Sequence, residues 1–422
     1  MEVPLANLPT HFSLRARWLF PGVGGPTPNA TVTIHAGRIV SLTQADAIAP
    51  VIDLGDTALL PGLINAHTHL EFSDLPAPLG QPGISLPDWI RLVVAWRRQR
   101  ANGPASGIAA GIRESLAAGV TAIGEIATDG WSLPPIIPIP RVTAFHESIG
   151  LSPERAAICL DAARGFLSAS DGPDFLPGLS PHAPYTVRPE LLAGLVALAT
   201  AKSIPLAMHV AESREELELL REGRGAMVDM LTELGAWRAD AIPRRARPLD
   251  YLRKLAEAPR ALVIHGNYLD DEELDFLAEH RDRMALVYCP RTHEYFRHAP
   301  YHDLAKLAQS GVRICLGTDS RASNPDLDML AELRFVAYRT PSLSGESILR
   351  LATNDAARAL GIDHECGAIA IGRRADLFVL RTALNAARDP FELIWDANAT
   401  VEAVLIAGKL FQGGPAPANR AT

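Results

Sequence analysis

Pro61-Gly62-Leu63-Ile64-Asn65-Ala66-His67-Thr68-His69-Leu70-Glu71, reached through the apolar run Thr57-Ala58-Leu59-Leu60, places two histidines one residue apart at the end of a strand-like segment. In an extended strand residues i and i+2 project to the same face, so His67 and His69 point the same way. Barrel folds keep their chemistry at the C-terminal ends of their strands. Two imidazoles on one face supply half of a tetrahedral metal site. A pair of surface histidines is the plain alternative. The apolar flanks argue for burial, and two unpartnered imidazoles are costly to desolvate.

Downstream, helical stretches rich in Ala, Leu, Glu and Arg alternate with short β-branched runs ending in polar residues. These runs are 121–125, 142–147, 179–182, 205–209, 261–265, 285–289 and 313–319. With the run into His67 they make eight strand candidates. Eight strand–helix units over roughly 250 to 300 residues predict a (β/α)8 barrel. An open doubly wound sheet would more often carry a Gly-rich phosphate turn after its first strand, and none is present. A helix is expected from Asp88, read as its N-cap, after a Pro-rich loop over 75–87.

Upstream, Thr31-Val32-Thr33-Ile34-His35 and Arg38-Ile39-Val40-Ser41-Leu42 flank Ala36-Gly37 as a hairpin, followed by a strand near 51–54. This segment is too small for a core of its own. Its natural partners are the strand-like runs 367–372, 375–380 and 401–409. The expected organisation is a composite β-sandwich domain from 1–58 and 363–412, a barrel over 59–362, and a disordered tail at 413–422.

The 422 residues are 48% hydrophobic and 21% charged, with a net charge of −8. That balance argues against a nucleic-acid or anionic-membrane partner. No apolar run approaches the roughly 20 residues of a membrane helix. The start Met1-Glu2-Val3-Pro4 lacks the pattern of a signal peptide, so a cytoplasmic location is expected. Cys159, Cys289, Cys315 and Cys366 have neither disulfide nor zinc-knuckle spacing. If the chain forms an oligomer, a homodimer is the state to expect.

Histidines gather at the predicted strand ends: His67, His69, His146, His182, His209 and His265. One such histidine is ordinarily a satisfied polar residue, but eight C-terminal ends converge on one pocket. Glu212, three residues past His209, can turn back as an acid/base group or simply open the next helix with Ser213. Asp319, ending the last strand, can bind a metal, accept a proton or cap a helix.

Pro-Gly-Leu-Ile-Asn-Ala-His67-Thr-His69, His209-Val-Ala-Glu212, Ile-His265-Gly-Asn and Leu-Gly-Thr-Asp319-Ser, in this order, resemble the amidohydrolase superfamily. Within it they are similar to the aminohydrolase and chlorohydrolase branch, and to its adenine-nucleoside deaminases. The run from Gly367 through Asp376 is similar to the family's closing stretch. The resemblance implies His67, His69, His209 and Asp319 as ligands of one divalent metal. It implies Glu212 as the proton shuttle and His265 as the residue holding the attacking water. The fourth-strand end, Ser180-Pro181-His182, has no lysine of the kind that binuclear members carboxylate, which favours a single metal. Such a metal lowers the pKa of a bound water from about 15.7 toward about 7. The resulting hydroxide would attack the ring carbon and release ammonia. Zn2+ suits the ligand set best, with Fe2+ or Mn2+ chemically open.

The implied partner is a small heterocyclic substrate, an adenosine-type purine nucleoside such as aminodeoxyfutalosine. Ser180-Pro181-His182-Ala183-Pro184-Tyr185-Thr186 is similar to the stretch whose histidine contacts substrate in those deaminases; a histidine packed under the turn is the alternative. Glu71 could meet the ribose or purine edge, or start a helix, and Trp89 could offer an aromatic surface or be core. After the seventh strand, Cys289-Pro290-Arg291-Thr292-His293 departs from the usual Pro-x-Ser/Thr-Asn, so Arg291 or His293 could meet a substrate carboxylate. Arg244, Arg245 and Arg247 could do the same, although a solvated basic loop fits them better. A chlorohydrolase or cyclic-amide hydrolase would keep the metal set and change the pocket. A non-catalytic scaffold would be expected to lose ligands that this chain retains.

Overall fold

The computed structural model describes residues 8–43, 49–100, 103–169, 172, 174–382 and 389–411. The expected tail at 413–422 lies outside them. Among the described residues, eight parallel strands form one sheet in sequence order. They are Leu63–Thr68, Val120–Ala127, Arg141–Ser148, Phe175–Pro181, Leu206–Val210, Ala261–His265, Met284–Tyr288 and Ile314–Leu316. Helices separate them, except between Val120–Ala127 and Arg141–Ser148, where an irregular connection over 128–140 takes the helix's place. The chain thus forms the (β/α)8 barrel expected from its sequence.

The ring closes at a single parallel bridge between Thr68 and Asp319. Asp319 N–H donates to His67 C=O at 3.1 Å, and Thr68 Oγ1 donates to Asp319 C=O at 2.8 Å. Asn65 spans the same seam, its Nδ2 donating to Thr318 Oγ1 and its Oδ1 accepting from Thr318 N–H. The two strands approach so closely that a Cβ on Gly317 would stand 2.7 Å from His67 C=O. Below the seam the barrel is filled by Ile64, Ala66, Ala122, Ile126, Phe145, Ala207, Leu262, Ile264, Ala285 and Val287, all buried. At about 1.5–3 kcal/mol for each large side chain, this plug gives the strand ends a rigid floor.

Both chain ends build the second sheet, in the order Lys409–Leu410, Thr400–Ile406, Leu377–Arg381, Thr57–Pro61, His11–Leu19, Thr27–His35, Arg38–Thr43, with Val51–Asp53 beside His11–Leu19. The hairpin around Ala36-Gly37 forms with His35 paired to Arg38. One of its two longest strands, His11–Leu19, goes unnamed in the sequence reading because Arg15 and Arg17 interrupt its apolar pattern. Thr57–Pro61, expected to lead into a barrel starting at 59, instead runs antiparallel to Leu377–Arg381 in the composite sheet.

Two local expectations also change. Gly367–Gly372 is a turn and not a strand: Gly367 and Gly372 have φ of +82° and +89°, and Ile369 and Gly372 N–H donate to Pro21 and Ile39 C=O. The first long helix, Leu86–Gln99, is capped by Ser85, whose hydroxyl accepts from Asp88 N–H, so Asp88 lies inside the first turn. Among the described residues no helix is long and apolar enough to cross a membrane.

Candidate metal centre and catalytic cavity

The C-terminal ends of the first, fifth, sixth and eighth strands bring His67, His69, His209, His265 and Asp319 together. Ligand atoms of His67, His209 and His265 lie within 4.8 Å of one another, as do those of His67, His69 and Asp319. Asp319 Oδ1 is 3.4 Å from His67 Nε2 and 3.6 Å from His69 Nε2. Its other oxygen accepts from Ser323 Oγ at 2.6 Å. Burial pushes the Asp319 carboxyl up, but His67, His265 and Ser323 outweigh it and hold the group below its usual range.

The local backbone aims these side chains. His265 and Asp319 adopt left-handed φ of +67° and +57°, and Ala211, between His209 and Glu212, has +53°. Such conformations in residues other than glycine persist only where the surroundings enforce them. Here Gly266 N–H donates to Val210 C=O, Tyr301 Oη to His265 C=O, and Asn267 Nδ2 to Glu212 C=O. His209 Nδ1 lies 3.0 Å from His182 C=O. A carbonyl only accepts, so Nδ1 carries the proton and Nε2 is left with a free lone pair.

The donor set fits a divalent cation. His67 Nδ1 and Nε2 and His69 Nδ1 are buried without a hydrogen-bond partner, a costly arrangement for imidazoles with nothing to coordinate. Burial, reinforced by the neighbouring histidines, pulls His69 and His209 far below the usual histidine range. Burial does the same to His265 despite the opposing pull of Asp319. These rings are therefore neutral, the form that ligates metal.

Glu212 faces this cluster, with Oε1 3.5 Å from His265 Nε2. Burial, then Asp319 and Glu216, push its carboxyl well above the ordinary range. Glu216 accepts from the Ala211 and Glu212 N–H groups and fixes the turn. Glu212 is thus a buried carboxyl beside the histidine–aspartate cluster, its pKa shifted in the direction a general acid requires.

A cavity of about 450 Å3 opens over the cluster, well within the range of small-molecule sites. His182 lines it, its Nδ1 2.7 Å from Thr186 Oγ1, and burial followed by Arg97 and His67 lowers its pKa to about 3. Trp89 also lines it, held by a 2.9 Å hydrogen bond from Nε1 to Ala322 C=O.

Three candidate substrate contacts are placed elsewhere. The Glu71 carboxylate is engaged by Arg97 at 2.6 Å and Arg100 at 3.0 Å and does not line the cavity. The Arg291 guanidinium is held by Asp326 and Glu332. His293 bonds Asn267 Oδ1 and Ala299 C=O. His146 faces outward and stacks on Phe166. Arg244 and Arg245 are exposed, and Arg247 pairs with Asp270 and Glu272.

Arg97, Glu147, Arg155 and Arg238 line the cavity instead, and sequence reasoning missed all four. Glu147 had a usable signal: it shares a strand face with inward-pointing Phe145, whereas His146 does not. Burial raises the Glu147 carboxyl to about 7, against the pull of Arg97.

A parallel barrel whose C-terminal mouth holds four clustered imidazoles, an aspartate and a buried glutamate defines a class, the metal-dependent hydrolases. Residues 58–411 match the Amidohydrolase family, and the chain belongs to it. It is a hydrolase acting on carbon–nitrogen bonds. The chain is 27% identical over 356 residues to a 5-methylthioadenosine/S-adenosylhomocysteine deaminase of Carboxydothermus hydrogenoformans, covering 79% of this chain and 74% of that protein. Its fold is similar to Helicobacter pylori aminofutalosine deaminase in complex with methylthio-coformycin, with a TM-score of 0.82, 22% identity, and coverage of 94% of this chain and 99% of that one. An adenosine deaminase from Xanthomonas campestris with bound zinc superposes with a TM-score of 0.71 at 23% identity, covering 94% and 92% of the two chains.

Proposed function

We propose that the chain is a metal-dependent deaminase of adenosine-type nucleosides, aminodeoxyfutalosine among them, releasing ammonia from the purine ring. The observation that carries this reading is the buried Glu212 facing the cluster of His67, His69, His209 and Asp319 at the inner end of one cavity. The relatives named as 5-methylthioadenosine/S-adenosylhomocysteine, 5'-deoxyadenosine and aminodeoxyfutalosine deaminases support the substrate class, although atrazine chlorohydrolase shares the fold.

A divalent cation on His67, His69, His209 and Asp319, zinc suiting that donor set best and Fe2+ or Mn2+ being the other candidates, would supply hydroxide at neutral pH. The chain's own groups do the rest. Glu212 donates its proton to a ring nitrogen and so makes the amino-bearing carbon electrophilic. His265, neutral and 3.5 Å from Glu212, orients the attacking water. Asp319, kept ionised, accepts the water's proton. As the new C–O bond forms and the C–N bond breaks, that proton leaves with the amine as ammonia, and the proton left on the new hydroxyl returns to Glu212, giving the keto product and restoring the acid. His182 hydrogen-bonds the nucleoside, and Trp89 packs against its base.

The test is ammonia release by zinc-loaded protein from adenosine, methylthioadenosine, S-adenosylhomocysteine, aminodeoxyfutalosine, guanine, cytosine and a chlorotriazine. One ammonia per adenosine-type substrate, with loss of the adenine absorbance, is expected. Turnover of the chlorotriazine alone, with chloride released, would replace this reading by a chlorohydrolase.

A further inference from the structure

A second cavity, of about 240 Å3, lies beside the N-terminal end of the last barrel strand, the end opposite Asp319. Arg281, Arg313, Arg350 and Arg358 line it together with a single carboxylate, Asp355. Arg350 Nη2 is 3.0 Å from Asp355 Oδ1, and Arg313 Nη1 is 3.8 Å from the same oxygen. Arg358 has only Asp363, at 3.8 Å and half-exposed. Among the described residues Arg281 has no ion pair. Four guanidinium groups around one carboxylate is a marked local excess in a chain whose net charge is −8.

The pocket is under-satisfied as it stands. Arg350 Nε is buried with no acceptor, so Asp355 leaves that guanidinium only partly satisfied. Burial pulls the Arg313 guanidinium below its usual range; Asp355 opposes this, and Arg358 and Arg281 add to it. Like charges crowded in a partly dry cleft destabilise the fold unless a counter-charge arrives. None of these residues belongs to the catalytic cavity.

We infer that this pocket binds a phosphoryl oxyanion, supplied either as free phosphate or as the phosphate of a nucleotide. Guanidinium forks match phosphate oxygens bidentately, and four of them exceed what one carboxylate ligand can occupy. At about 30 Å3 per water, the volume accommodates a tetrahedral oxyanion with bridging waters.

The metal-loaded enzyme is titrated by calorimetry at low ionic strength with inorganic phosphate and with UMP, a nucleotide lacking adenine. The expected result is saturable one-to-one binding that weakens as salt is raised. It should weaken about thirtyfold or more in R281E/R358E, with deaminase kinetics unchanged. R281Q/R358Q, expected to be intermediate, serves if the charge reversal lowers Tm. UMP binding tighter than phosphate assigns the site to nucleotides, and equal or weaker binding to free phosphate. No saturable binding to the wild type would overturn the inference, as would equal affinity in the wild type and both double variants.

Discussion

At the inner end of the catalytic cavity, His67, His69, His209, His265 and Asp319 come from the ends of strands, and Glu212 follows one by two residues. At the outer end, Trp89 and Arg97 come from the helix Leu86–Gln99, Arg155 from the helix Pro153–Ala169, and Arg238 from the turn after Ala226–Glu233. The inner groups stand on a buried apolar plug and are tied by backbone hydrogen bonds across the barrel seam. The outer groups ride on elements that differ in length and angle from any ideal unit. On the proposed function, the contrast separates reaction from selectivity: strand ends would set what is done to the substrate, and helices and turns which substrate is admitted.

His209→Ala tests that contrast at its strongest point. Bound metal, read by elemental analysis, should fall from one per chain to near zero, and turnover should vanish. Retention of one metal would remove His209 from the ligand set. Glu212→Gln should keep the metal and lose about 10²–10⁴ in kcat; full activity would end the proton-shuttle assignment.

Arg291→Met should behave as a structural change, costing about 3–5 kcal/mol by denaturant melt because the buried Glu332 loses its guanidinium and keeps only the Asn324 side-chain and Arg291 backbone N–H donors. Its KM should not move, and a raised KM with unchanged stability would return Arg291 to the substrate. Trp89→Ala belongs to the wall, so KM should rise about tenfold while kcat stays within about threefold.

The smallest effect concerns Glu147, whose carboxyl is raised to about 7 in the fold. A raised carboxyl favours the neutral form. Its contribution to stability is therefore present below the unfolded value near 4.5 and lost as pH rises through about 7. Glu147→Gln should flatten the fall in Tm between pH 5 and 8 by about 2–4 °C. An unchanged profile would show that Glu147 is already ionised at pH 5.

The sequence discloses the inner end because each of its motifs is local: a residue type, a strand of alternating or apolar pattern, and a strand end. It is mute on the outer end for a physical reason. Glu71, Arg291 and His293 carry the right chemistry, but each is claimed by a distant partner: Arg97 and Arg100, Asp326 and Glu332, and Asn267 with Ala299. Pairings between separate helices and loops leave no periodicity to read. The composite sheet is legible as two unpaired ends seeking each other, while the role of Thr57–Pro61 as its central strand is hidden behind an apolar run that would suit a barrel equally well.

The seam between Thr68 and Asp319 also has a bearing on how the protein is made. Synthesis delivers His67 and His69 early and Asp319 some 250 residues later, and the hydrogen bonds that shut the ring are made by the same residues that line its mouth. A ribosome-bound chain shorter than this can hold seven barrel strands and every helix through Leu304–Ser310 and still lack Asp319. The full set of proposed ligands thus arrives only with the last barrel strand, so the appearance of metal binding during translation would time the closing of the circle.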